Sequence, residues 1–177
     1  MQLVVAIRTF TIIALLTVGM AGIRLEGIMS GPNQKNEPRF AELSGEDTAQ
    51  LNKQRSLVAA AAKQKYGTPS LTKTKSDLVV LQHLIDDQVF NKTQTYELQC
   101  LGVAFGDVLA SEFPLRWVMV TDEYGTDPTL RYKKMVFQIN ALTMISKRIE
   151  RNESVNLRKL LEITGQQLTS FEKDFSK

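Results

Sequence analysis

Asp107 is the residue whose surroundings first suggest chemistry. It stands in LQCLGVAFGDVLA, Leu98 to Ala110, where Gln99 is the only other clearly polar side chain. A helix apolar around most of its circumference belongs inside a protein. A carboxylate carried in with it is costly unless it is paired and hydrogen-bonded. Such a group can serve as a general base when burial raises its pKa and a substrate can reach it. It can equally be half of a structural ion pair. Arg116, Lys147 and Arg148 are the expected cationic partners, and the Trp117 indole is an expected hydrogen-bond donor. The structural pairing is the main expectation, and Asp107 is the one catalytic candidate.

Other chemistry-bearing residues fall into weaker patterns. Asp122, Glu123 and Asp127 cluster on one turn, but they lack the spacing and the distal bidentate Glu of a calcium loop. His83 is the only histidine, so a zinc triad is not expected. It lies opposite the stripe Leu78, Leu81, Ile85 and Val89, and therefore faces outward, with Asp87 one turn away. Cys100 is the only cysteine; it can make no intramolecular disulfide or thiolate cluster, and its apolar setting predicts a buried thiol. Neither G-x-S-x-G nor a Walker phosphate loop is present, and no metal or cofactor is expected.

Lys133, Lys134, Lys147, Arg148, Arg151, Arg158 and Lys159 make the second half basic, but Glu150, Glu153 and Glu162 dilute it. With a net charge of only +3 the chain does not point to nucleic acid as a partner. A hydrophobic content of 43% with 23% charged residues is that of a folded chain rather than a disordered one.

The elements that must position these residues are partly legible. Thr9 to Ile23 carries no charge, and Gly19 with Ala21 fits a signal-peptide cleavage site, so residues 1–29 are expected to be a signal peptide. An uncleaved N-terminal anchor is the alternative. Residues 30–42 read as a polar linker, and residues 43–177 as a single α+β domain.

A first helix is expected from a Ser44–Asp47 cap to Gly67, and a second from Ser76 or Asp77. The central apolar helix should span about 95–112. Gly102 and Gly106 lie on adjacent turns of it, tolerable where another backbone approaches closely. Pro114 should end it, and Leu115–Thr121 reads as a buried strand. Asp122–Pro128 reads as a turn, and Leu130–Ile139 as a second, antiparallel strand. A fourth helix is marked by Leu142, Ile145 and Ile149. Ser154 is the expected cap of a fifth, with the stripe Leu157, Leu160 or Leu161, Leu168 and Phe171.

Three stretches carry a resemblance: ELQCLGVAFGDVLA (Glu97 to Ala110), RWVMVTDEYGTDP (Arg116 to Pro128) and MISKRIERNESVN (Met144 to Asn156). Together, over about residues 93–165, the chain resembles a bacterial domain-of-unknown-function family, number 3806. The positions matching its pattern are Gly102, Gly106, Asp107, Trp117, Asp122, Gly125, Lys147 and Arg148. Where related chains often carry a proline before the last helix, Asn140-Ala141 stands here. The resemblance implies a fold and a choice of binding or core residues, and no reaction. By analogy with other small modules it suggests protein binding, including immunity-type inhibition of a toxin.

The expected function is thus an exported, periplasmic or otherwise extracytoplasmic protein-binding module, with another protein as its partner. Two alternatives remain at this point. One is a small envelope hydrolase using Asp107 with Lys147 or Arg148; the other is a membrane-tethered structural component that retains residues 1–23.

Overall fold

A computed structural model describes residues 37–67 and 70–175. The segment expected to be a signal peptide or anchor, residues 1–29, lies outside them. The architecture is α+β: helices pack on one antiparallel sheet of strand order β1-β2-β3-β4. The strands are β1 (Arg39–Ala41), β2 (Leu115–Asp122), β3 (Gly125–Tyr132) and β4 (Gln138–Ile139). The helices are α1 (Gly45–Tyr66), α2 (Leu78–Asp86), α3 (Thr95–Glu112), α4 (Ala141–Met144), α5 (Ser146–Glu150) and α6 (Leu157–Phe175).

Helix α1 begins where expected. Ser44 Oγ accepts from the Asp47 amide at 3.1 Å, and Asp47 Oδ2 accepts from the Ser44 amide at 2.9 Å, closing a capping box. It ends at Gly67, whose φ of 70° is a left-handed cap. Leu51, Gln54, Val58 and Ala62 are its buried positions. Helix α3 is the centre of the fold. Every residue from Cys100 to Leu109 is buried, and α1, α2, α4, α5 and β2 all pack on it. Its unbroken apolar surface is explained by that surround.

The sheet presents alternate residues to its two faces. Leu115, Leu130, Tyr132 and Ile139 join the core, with Trp117 packed against them. Arg116, between Leu115 and Trp117, points the other way and pairs with Glu42. On that outer face the Arg131 guanidinium lies 4.1 Å from the centre of the Phe40 ring.

Several expectations about elements change. Residues 39–41, at the end of the stretch read as a linker, form the edge strand β1 against Met119–Thr121. The hairpin between β2 and β3 is tight, closed by Asp122 opposite Gly125, and Asp127 and Pro128 belong to β3. Pro128 is tolerated because β4 reaches only Leu130 and Arg131, leaving that side of it open. The run Leu130–Ile139 is two strands, not one. The chain reverses after Tyr132 with Lys133 at a φ of 50°, and Val136 in the turn is exposed. Helix α6 is capped by Asn156, whose side chain accepts from the Lys159 amide at 2.9 Å, and not by Ser154. Gln82 of α2 fixes that start, accepting from the Leu157 amide and donating to the Val155 carbonyl. Val89 lies beyond the end of α2, half-buried against the core.

Candidate functional site

Asp107 is 7% exposed and is held by two elements besides its own helix. Arg55 of α1 meets it side-on: Nε donates to Oδ2 at 2.6 Å and Nη2 to Oδ1 at 2.7 Å. This is the bidentate fork that suits guanidinium to carboxylate. Trp117 Nε1 of β2 donates to Oδ1 at 2.9 Å. Three donors therefore occupy both carboxylate oxygens, and the cluster ties α1, α3 and β2 together. Arg55 is steadied in turn by Nη1 donating to Asn52 Oδ1 at 2.9 Å.

The indole reaches Asp107 because Gly106 makes room. A Cβ there would lie 2.9 Å from Trp117 Cη2 and 3.0 Å from Ala141 Cβ. Gly102 does the same for a backbone: a Cβ there would fall 2.5 Å from the Ala141 carbonyl oxygen and against that of Leu142. The close approach expected of the two glycines is thus to α4 and to Trp117.

The expected cationic partners of Asp107 are elsewhere. Arg116 follows the sheet alternation to the outer face. Lys147 and Arg148 sit on α5, whose Glu150 accepts from Thr95 Oγ1 at the opposite end of α3, at 2.8 Å. Thr95 precedes Asp107 by about 18 Å of helix at 1.5 Å per residue. Lys147 is exposed. Arg148 is half-buried, donates to the Met144 carbonyl, and has its pKa lowered by that burial. The structure therefore joins Gly102, Gly106, Asp107 and Trp117 in one cluster and leaves Lys147 and Arg148 apart from Asp107. Asp122 and Gly125 are at the hairpin tip, where Asp122 Oδ1 accepts from the Tyr124 amide at 2.8 Å and Gly125 has a φ of 131°. Their role is to turn the chain.

Arg55 is the residue the motifs did not point to. A signal for it existed: Leu51, Arg55, Val58 and Ala62 follow at spacings of four, three and four, which places a cation on the buried stripe of α1.

His83 is exposed as expected, but its neighbour is the Tyr66 ring, edge-on at a centroid distance of 5.9 Å. Asp87 instead accepts from the Tyr66 hydroxyl at 2.8 Å. Burial and that carboxylate push the Tyr66 pKa up to about 12. Cys100 is buried, and burial raises its thiol to about 11.

A cleft of about 160 Å3 opens beside the ion pair, reached by Arg55 and Asp107 and by Lys73 of the segment before α2. Asp77 on its wall is fully engaged: it accepts from the amides of Thr72 and Lys73 and from Thr72 Oγ1, all within 3.0 Å.

Residues 77–160 match the family described as Domain of unknown function (DUF3806). This segment belongs to that domain family. It runs from the start of α2 into the first turn of α6, so the DUF3806 segment contains Asp107 and Trp117 but not Arg55. Helix α1 completes the ion pair from outside it. A crystal structure of a protein from Bacteroides thetaiotaomicron VPI-5482 shares the fold, with a TM-score of 0.65 at 16% identity over 75% of this chain. The match covers 48% of that protein, so this chain spans about half its length. No curated protein matches the sequence.

Proposed function

We propose that the protein is a non-enzymatic protein-binding module acting outside the cytoplasm, in which the DUF3806 acid is a structural tie. The engagement of Asp107 by three donors carries this reading. A general base has to be free to meet a substrate proton, whereas three donors from Arg55 and Trp117 already hold both Asp107 oxygens and take three of its roughly four lone-pair sites. A hydrolase built on Asp107 with Lys147 or Arg148 would need those groups together, and the helix geometry separates them. Export rests on the uncharged stretch Thr9–Ile23.

Affinity capture from native envelope extract, with the full-length protein as bait, tests the binding role. One reproducible, stoichiometric protein partner is the expected result; a folded bait that retains no protein at micromolar concentration removes the reading. Intact mass of the native protein tests export, a chain shortened at about Ala21 being the expected product.

A further inference from the structure

The cleft beside the ion pair is unbalanced in its hydrogen bonding. Of the charged groups lining it, the two acids are largely engaged. Asp107 accepts from Arg55 and Trp117, and Asp77 accepts from Thr72 and Lys73. The two cations keep spare donors. An arginine has five N–H donors, and Arg55 uses three, to Asp107 and Asn52. Lys73 makes no ion pair among the described residues. The cleft thus offers spare donors from Arg55 and Lys73 to an anion, while its two carboxylates leave it without net charge.

Charge and size narrow the class of ligand. Arg55 is balanced by Asp107, and Lys73 by the Asp77 carboxylate, whose own partners are all uncharged donors, so the cleft carries no net charge and disfavours a dianionic phosphate more than a monoanion. Ala59, Leu71 and Ala104 supply an apolar wall. A cavity of about 150 Å3 is large enough for benzene, so 160 Å3 admits a ligand of about that size.

We propose that this cleft binds a small aliphatic monocarboxylate, held by the spare N–H groups of Arg55 and by Lys73, with its short tail against Ala59, Leu71 and Ala104. The same chemistry can arrive as a free acid or as the C-terminal residue of a polypeptide. This site stands independently of the protein-binding reading, because a free acid would occupy it without any protein partner.

The test is an NMR titration of the full-length protein with butyrate, N-acetylalanine and inorganic phosphate. Wild type is compared with Lys73→Asn, Ala59→Leu and, as a surface control, Lys92→Ala. Asparagine is chosen because it tolerates the φ of 60° at position 73. Circular dichroism confirms that each variant is folded. Butyrate is expected to shift resonances at the cleft, with affinity at least fivefold weaker in Lys73→Asn and Ala59→Leu and unchanged in Lys92→Ala. Tighter binding of N-acetylalanine than of butyrate assigns the site to chain ends, and the reverse order to free acids; either supports a carboxylate site. Absence of butyrate binding, unchanged affinity in folded Lys73→Asn or Ala59→Leu, or phosphate binding as tight as butyrate overturns it.

Discussion

Asp107, Arg55 and Trp117 form a cluster whose members depend on one another, and its energetics follow from burial. A buried ion pair is of modest net worth, but removing one partner strands the other charge in the interior at a cost of about 3–5 kcal/mol. Asp107→Asn keeps the shape, removes the charge, and turns an amide donor toward a guanidinium that can only donate. Urea denaturation should show it destabilised by about 3–5 kcal/mol. Arg55→Met removes the other partner, so the two substitutions share one lost interaction. Their double mutant should be less destabilised than the sum of the singles, with a coupling of about 0.5–3 kcal/mol. A full sum would mean that the pair contributes nothing as a pair. The sequence identified the acid and the indole but not the arginine. An Asp in an apolar helix is conspicuous, whereas one arginine on a helix with many charges becomes conspicuous only when the buried stripe is counted.

At the scale of elements, α3 and α4 touch through backbone, and the glycines set that distance. Alanine is favoured over glycine within a helix by about 1 kcal/mol, while forcing atoms into a packed core typically costs about 1–3 kcal/mol or more. At Gly102 the obstacle is a pair of carbonyl oxygens that cannot rotate away. Gly102→Ala should therefore be net destabilising, by about 1–2 kcal/mol. At Gly106 the obstacle is the Trp117 ring, pinned by its bond to Asp107, together with the Ala141 methyl, and the loss should be comparable. Equal melting temperatures for wild type and Gly102→Ala would refute the close-approach account.

The N-terminus of α1 gives a pH-dependent prediction. Hydrogen bonds from Ser44 lower the Asp47 pKa below its ordinary 3.8, so the ionised form is preferred in the folded state. That contribution is present above pH 3.8 and is lost as pH falls through the lower folded value. The melting temperature of Ser44→Ala should lie below that of wild type near neutrality, and the gap should close in acid. The ends of α1 and the length of α3 were legible because caps and apolar length are local signals. Strand β1 was not, because RFA in a polar stretch becomes a strand only through pairing with β2. The break inside Leu130–Ile139 was missed for the converse reason: Met135, Val136 and Phe137 extend an apolar pattern through a turn that folds back to complete the core.

For the molecule as a whole, one helix surrounded by the other elements implies that α3 is exposed only when the structure opens widely, and Cys100 reports on this. It is fully buried in α3, and burial raises its thiol to about 11, so at pH 8 it is protonated as well as covered. The thiolate is the reactive form. The raised pKa also fixes a direction: the preference for the neutral thiol supports the fold below its ordinary 9.0 and is lost as pH rises through about 11. Labelling by a thiol reagent at pH 8 should therefore be slow and should track the population of the opened state when reclosing outpaces reaction. Asp107→Asn should then accelerate it. A destabilisation of about 3–5 kcal/mol corresponds to about two to three orders of magnitude or more in the opened population. If Asp107→Asn lowers stability in urea but leaves the labelling rate unchanged, Cys100 is reached by a local opening of the α3 N-terminal half that does not involve the Arg55–Asp107 tie. If both change in the expected proportion, the tie and the thiol, about two turns apart on one helix, belong to a single cooperative unit.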